Sequence, residues 1–207
     1  TPADDVEVDG QTRHRVHNTL LLTGPGVEEA SYRKIHLFDA FDSRESDTVA
    51  AGDAVVTAQV DGWTVGLATC FDVRFADHFT ELGRRGSELV VLPASWGDGP
   101  GKADQWDLLT QARAHDAQAW LLGVGQAWIP QSGQGPFGIG RSVLADPTGA
   151  VRSRLDAAEI TALTGKPAIE PLRTYVGLRS AETPQARAEL ALAELQRPGP
   201  VVDVPRE

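Results

Sequence analysis

Cys70 is the only cysteine among the 207 residues, and it stands where a nucleophile would be useful. The run before it, residues 62–69, alternates Val65 and Leu67 with small or polar residues, as a strand does. Directly after it come Phe71-Asp72-Val73-Arg74-Phe75, and Phe75, Phe79 and Leu82 recur at helical spacing. At a strand-to-helix turn, the free N–H groups of neighbouring residues stabilise a thiolate and can hold an oxyanion. The same cysteine would also serve as a small buried hydrophobe. A nucleophilic thiol needs a base or a cation beside it. The chain offers three lysines, Lys34, Lys102 and Lys166, and Lys34 closes a strand between Arg33 and Ile35-His36. It either lifts its ammonium to solvent or supplies that cation. His36, His78 and His115 lack the spacing of metal ligands and read as surface or structural residues. Asp72 and Arg74 read as braces for the turn. Residues 97–101 lack the Gly-Lys-Ser/Thr ending of a phosphate loop.

The elements that must position these residues alternate between strand and helix. Residues 1–10 are acidic and read as a loop. Residues 18–23 and 31–35 read as a hairpin, broken by Gly24-Pro25-Gly26, and 37–52 as a long loop. Residues 54–60 and 63–69 alternate around Asp61-Gly62, a strong hairpin signal. A helix over 73–85 follows, then an apolar strand over 89–92 and a Gly/Pro-rich loop over 93–102. The next helix, 104–118, sets Trp106, Leu109, Ala112 and Ala119 on one side, ahead of a buried strand over 120–124. A Gly/Pro loop over 126–140 leads to a strand over 142–145, turned back by Asp146-Pro147-Thr148-Gly149. This order argues for an α/β architecture. The apolar strands then end at Cys70, at Pro93-Ala94-Ser95-Trp96 and at Gly125-Gln126, so three strand ends meet on one rim. Trp96 either walls a pocket there or simply packs.

Composition removes several classes of function. A formal net charge of -10, with no basic stripe interleaved with aromatics, leaves nothing to attract phosphate backbones, so nucleic acid is not an expected partner. One cysteine cannot form an internal disulfide framework or a thiolate metal cage, and it fits a reducing cytoplasm. No apolar stretch approaches the ~20 residues of a membrane span, and no signal peptide is recognisable. The chain contains no methionine and opens on Thr1-Pro2, which reads as a piece of a longer protein.

Several motifs together carry a resemblance. Tyr32-Arg33-Lys34-Ile35-His36-Leu37-Phe38-Asp39 resembles the lysine motif of the carbon–nitrogen hydrolase (nitrilase) superfamily, and Cys70-Phe71-Asp72-Val73-Arg74-Phe75 resembles its nucleophile motif. Arg44-Glu45-Ser46 followed by Gly52 is similar to its Glu-Ser segment, and Leu92-Pro93-Ala94-Ser95-Trp96 to its next strand end. Gln105-Trp106 with Ala112-Arg113-Ala114-His115-Asp116 resembles a helix of the amidase-like branch, and Asp146-Pro147-Thr148-Gly149 its Asp-Pro-x-Gly turn. The motifs occur in order over about residues 10–155.

The resemblance implies a nitrilase-like α-β-β-α sandwich and hydrolysis of a small amide, or less readily a nitrile, through a Cys70 thioester with ammonia released. The omega-amidase branch is the best match. It implies that Lys34 lowers the Cys70 pKa and stabilises the oxyanion together with the Phe71 N–H. Glu45 would balance Lys34, and Ser95 and Trp96 would meet substrate. The Lys34 ammonium is expected within about 4–5 Å of the Cys70 sulfur, since charges must approach that closely to move a pKa. No metal or cofactor is implied, and a homo-oligomer is expected.

Two departures accompany the resemblance. The family's general-base glutamate and first βαβ unit would precede the start of this chain. After about residue 156 the pattern stops, dividing the chain into a partial hydrolase domain, 1–156, and a divergent tail, 157–207. Residues 169–196 of that tail resemble part of an actinobacterial membrane-anchored α/β-hydrolase-like family, with one helix at 184–196. Three classes of function stay open: an amidase-type hydrolase, a non-catalytic binding or assembly module on the same fold, and a protein using Cys70 without Lys34.

Overall fold

Residues 1–10, expected as a loop, are mostly strand. In the computed structural model, which describes residues 2–25, 27–40, 43–126 and 138–155, β1 (Pro2–Val8) pairs antiparallel with β2 (Gln11–His17). The turn is Asp9-Gly10, with φ of 50° and 73°, the same Asp-Gly chemistry that marks the later hairpin. Its acids disguise the strand, because Asp and Glu are depleted from sheets. Here they find partners across the pair: Asp4 accepts from Arg15 Nε at 2.8 Å, Asp5 meets His14 at 2.6 Å, and Glu7 accepts from Thr12.

The expected hairpin of residues 18–35 is present as β3 (Thr19–Leu22) and β4 (Ala30–Arg33), with Lys34 one step past the end of β4. The segment expected as a long loop carries short pieces of structure. These are β5 (Asp39–Ala40), β6 (Ser43–Arg44), a 3-10 turn at Glu45–Asp47 and β7 (Val49–Ala50), which pairs parallel with β2.

The remaining strands form one six-stranded sheet. β8 (Val56–Val60) and β9 (Trp63–Leu67) make the Asp61-Gly62 hairpin, β10 (Leu89–Ala94) runs parallel to β9, and β11 (Trp120–Gly125) parallel to β10. β12 (Val143–Ala145) and β13 (Val151–Arg154) complete it antiparallel, giving the order β13-β12-β11-β10-β9-β8. The segments leading to Cys70, Leu92 and Val124 are therefore adjacent, as expected. Two helices cover one face of the sheet, α1 (Ala76–Arg84) and α2 (Lys102–Ala117). Alternation along β10 sends Val90, Leu92 and Ala94 toward these helices and Val91 toward the opposite face, where Tyr32, Leu20 and Leu22 of the β3–β4 hairpin lie.

Both helices differ from expectation. Residues 70–74 form a 3-10 turn, and Phe75 is extended before α1 begins. In α2 the buried stripe is Trp106, Thr110, Ala114 and Ala117 rather than a line through Leu109 and Ala112. Thr110 is tolerated inside because its hydroxyl donates to the Trp106 carbonyl at 2.8 Å.

Gly52 fastens the Lys34 segment. Its N–H donates to the Lys34 carbonyl at 2.8 Å. A Cβ at Gly52 would stand 2.1 Å from the Arg33 carbonyl oxygen, a backbone atom with no way to yield cheaply. Gly52→Ala should therefore cost about 1–3 kcal/mol, the usual range for overpacking. Thermal denaturation should register this as a Tm lower by several degrees. An unchanged Tm would show that the two segments are not in this contact.

Candidate active site

Cys70 follows β9 in the left-handed region, at φ 48°, a conformation that a non-glycine residue holds only where its surroundings over-determine it. The restraints are local. Thr69 N–H donates to Asp72 Oδ2 at 2.8 Å, Asp72 N–H to the Thr69 carbonyl at 3.1 Å, and Phe75 N–H to the Asp72 carbonyl at 2.9 Å. Arg113 of α2 reaches the Val73 carbonyl at 3.4 Å, which gives the Ala-Arg-Ala motif a structural purpose. Asp72 and Arg74 do brace this turn: Arg74 donates to Gln105 Oε1 at 2.8 Å and places its guanidinium over Phe71 and Trp96.

Lys34 does not reach for solvent. Its side chain is 3% exposed and its Nζ lies 2.5 Å from Glu45 Oε2. The same Glu45 oxygen accepts the Phe38 N–H at 2.6 Å, and Oε1 accepts from Asn18 Nδ2 at 3.3 Å. Asn18 also holds Lys34 from behind, its carbonyl accepting the Lys34 N–H at 2.9 Å. Nothing in the sequence singles out Asn18, because its partners are 16 and 27 residues away. The ion pair thus has the hydrogen-bond support that a buried pair requires.

Cys70, Lys34, Glu45, Phe71, Ser95 and Trp96 all line one open cavity of about 810 Å³ at the ends of β9, β10 and β11. This is the rim where parallel sheets keep their ligands. Trp96 serves both of its readings: it is 4% exposed, packs on Trp106, and still faces the cavity. Its Nε1 donates to the Lys102 carbonyl at 2.9 Å. Gln126, at the end of β11, and the cations Arg44, Arg74 and Lys102 complete the wall.

Burial pushes the Cys70 thiol above the ordinary cysteine range. The Lys34 charge and the Ser95 backbone N–H favour the thiolate, while Glu45 and Asp72 oppose it. Lys34 lowers the thiol pKa as expected, but desolvation outweighs it. The expected net depression is therefore corrected to a net elevation.

Of the two readings for His36 and His78, surface or structural, the structural one holds. They converge on Asp72, with donor and acceptor atoms of all three within 4.8 Å of one another, a grouping that their positions in the chain conceal. His78 is 4% exposed, and burial pushes its imidazole down toward the neutral form. Asp72 is already filled by protein N–H and O–H donors, so the cluster is a hydrogen-bonded hub. The residues expected as a divergent tail, 157–207, and the helix expected at 184–196 lie outside the described residues, as does most of the loop over 126–140.

Comparison with known proteins gives the family and the fold. The carbon–nitrogen hydrolase family model matches residues 5–170. A protein of Mycobacterium tuberculosis named as a hydrolase is 47% identical over 147 residues, covering 66% of this chain and 52% of that one. A deaminated glutathione amidase of Escherichia coli O157:H7 is 37% identical over 153 residues, covering 73% of this chain and 55% of the relative. The chain thus spans about half the length of these relatives. Among solved structures, an amidase from Nesterenkonia superposes with a TM-score of 0.58 at 22% identity, covering 70% of this chain and 52% of that one, a likeness of fold.

The electrostatic balance at the thiol makes a measurable claim. Lys34→Ala removes the charge that opposes burial, so the pH midpoint of iodoacetamide alkylation of Cys70 should rise. For every pH unit that the midpoint climbs, alkylation near pH 8 should slow about tenfold. An identical profile for the two proteins would mean that Lys34 does not act on the sulfur.

Proposed function

Because the chain belongs to the carbon–nitrogen hydrolase family, we propose that its cavity hydrolyses a small amide through Cys70, with ammonia released. The observation that carries this reading is the meeting of Cys70, Lys34 and Glu45, far apart in sequence, in one cavity. In the proposed reaction the Cys70 sulfur attacks the amide carbon, and its proton passes to the leaving nitrogen. The C–N bond breaks, and water then opens the thioester to a carboxylate. Lys34 and the Phe71 N–H hold the oxyanion, and Glu45 aims the Lys34 ammonium. Ser95 and Trp96, which line the same cavity, contact substrate.

Three cations among the residues lining the cavity, Arg44, Arg74 and Lys102, suit an amide that also carries a carboxylate. This agrees with the resemblance to the omega-amidase branch and with the name of the deaminated glutathione amidase relative. An amide is preferred to a nitrile on the same grounds.

One observation supports a second reading, a non-catalytic binding module. Glu45 is the only carboxylate among the described residues lining the cavity, and it is committed to Lys34 and Phe38. Without a proton acceptor, rates typically fall by ~10²–10⁴.

Ammonia release from paired panels of amides and nitriles, with and without a carboxylate, separates the readings. Carboxylated amides should be turned over best, and Cys70→Ala should abolish release. Turnover of nitriles alone would sink the amidase reading. Amide binding without any ammonia, seen as a ligand-dependent rise in Tm, would favour the binding module.

A further inference from the structure

We propose that Asp72 is a positioning residue for the Lys34–Cys70 pair, its carboxylate riveting the strand end that carries Lys34 to the turn that carries Cys70. The inference rests on the reading of that pair given above and adds a residue that touches neither substrate nor sulfur. Asp72 is fully buried. Oδ2 accepts the Thr69 N–H at 2.8 Å and the Tyr32 hydroxyl at 2.7 Å. Oδ1 accepts the His36 N–H at 3.1 Å and lies 2.8 Å from His36 Nδ1. These ties are distributed with a purpose. Tyr32 and His36 flank Lys34 two residues to either side, and Thr69 directly precedes Cys70. A carboxylate acting only as a brace for the turn would need the Thr69 N–H alone. The contacts to Tyr32 and His36 span 40 and 36 residues, and they fix where one segment sits against the other.

The surroundings make the rivet stiff. Tyr32 has no exposed surface, and its hydroxyl also accepts the Ile35 N–H at 3.1 Å. Burial and the Asp72 charge hold its phenol well above the ordinary range, so it stays a donor. The His36 ring stacks on Phe75 with centroids 3.8 Å apart. The neutral His78 closes the far side, edge-on to Tyr32 and His36, with Nε2 3.2 Å from the Leu67 carbonyl. A carboxylate offers about four acceptor positions, and all of those on Asp72 face donors. An amide at this position would turn N–H groups toward donors that need acceptors.

The sign of one measurement separates positioning from simple electrostatics. The Asp72 charge by itself raises the Cys70 pKa, whereas Lys34 lowers it. If Asp72 were only a nearby charge, Asp72→Asn would ease thiolate formation. If it positions Lys34, the same substitution loosens the cation from the sulfur and makes ionisation harder. The other charged groups lining the cavity, Arg44, Glu45, Arg74 and Lys102, are the same in every variant.

The experiment is iodoacetamide alkylation against pH on the full 207-residue chain and on Asp72→Asn, Tyr32→Phe and Lys34→Ala, with circular dichroism to confirm folding. Asp72→Asn should raise the midpoint and slow alkylation near pH 8, about tenfold for a midpoint one pH unit higher. Tyr32→Phe removes one tie and no charge, and it should move the midpoint the same way by less. It decides the matter if Asp72→Asn does not fold. A midpoint that falls in Asp72→Asn overturns the proposal. So do unchanged profiles for the folded Asp72 or Tyr32 variants beside an altered one for Lys34→Ala. If Lys34→Ala itself leaves the profile unmoved, the Lys34–Cys70 pairing fails and the rivet fails with it.

Discussion

A lysine ammonium that is 3% exposed is an expensive object unless something meets its charge. The Lys34–Glu45 pair is the constraint on which the rest of this site depends. Removing one partner of a buried pair strands the other, at a cost of about 3–5 kcal/mol. The chain therefore surrounds both ends with restraints. Glu45 accepts from Lys34, Phe38 and Asn18, while the Lys34 backbone is held between Asn18 and Gly52. The short 3-10 turn at Glu45–Asp47 and the Gly52 contact look incidental in isolation. They make sense as the means of holding one carboxylate and one ammonium together away from water.

Where side chains meet within a few residues, their roles are legible in the sequence. The thiol at a strand end, the Asp61-Gly62 hairpin and the adjacent apolar strands all follow from local pattern. The acidic β1 is not legible. Its alternation is of Val with Asp and Glu, and the partners of those acids, Arg15 and His14 across the pair, are supplied only by the folded register. The helix α2 can be placed from its spacing, but its buried stripe cannot, because Thr110 passes for a surface residue until its hydroxyl is seen bonded to Trp106.

The site divides along the same line. Cys70, Lys34 and Glu45 can be named from motif order, because that order survives as sequence. The hub around Asp72 cannot, since Tyr32 and His36 stand 40 and 36 residues from it in sequence and His78 is on a different element from both. Their convergence depends on the β3–β4 hairpin lying across the sheet face opposite α1 and α2. The direction of the thiol's pKa escapes the sequence for a related reason. A neighbouring cation can be read from a motif, but the depth of burial, which here outweighs it, is a property of the packed fold.

That balance bears on how a reaction at Cys70 would run. With burial holding the thiol above its ordinary range, the resting sulfur carries its proton near neutral pH. Both Glu45 oxygens are already occupied, Oε2 by Lys34 and the Phe38 N–H and Oε1 by Asn18. In the proposed chemistry the pair therefore acts as a fixed field rather than a proton relay. It lowers the energy of an anion formed at the sulfur or on the attacked oxygen. A field of this kind is only as good as its geometry, because the attraction between charges falls with distance and is weakened by any water let in between. In the proposed chemistry the left-handed Cys70, the Gly52 contact and the Asp72 hydrogen bonds would answer one demand, that Lys34 and the sulfur keep their places while the substrate changes beside them.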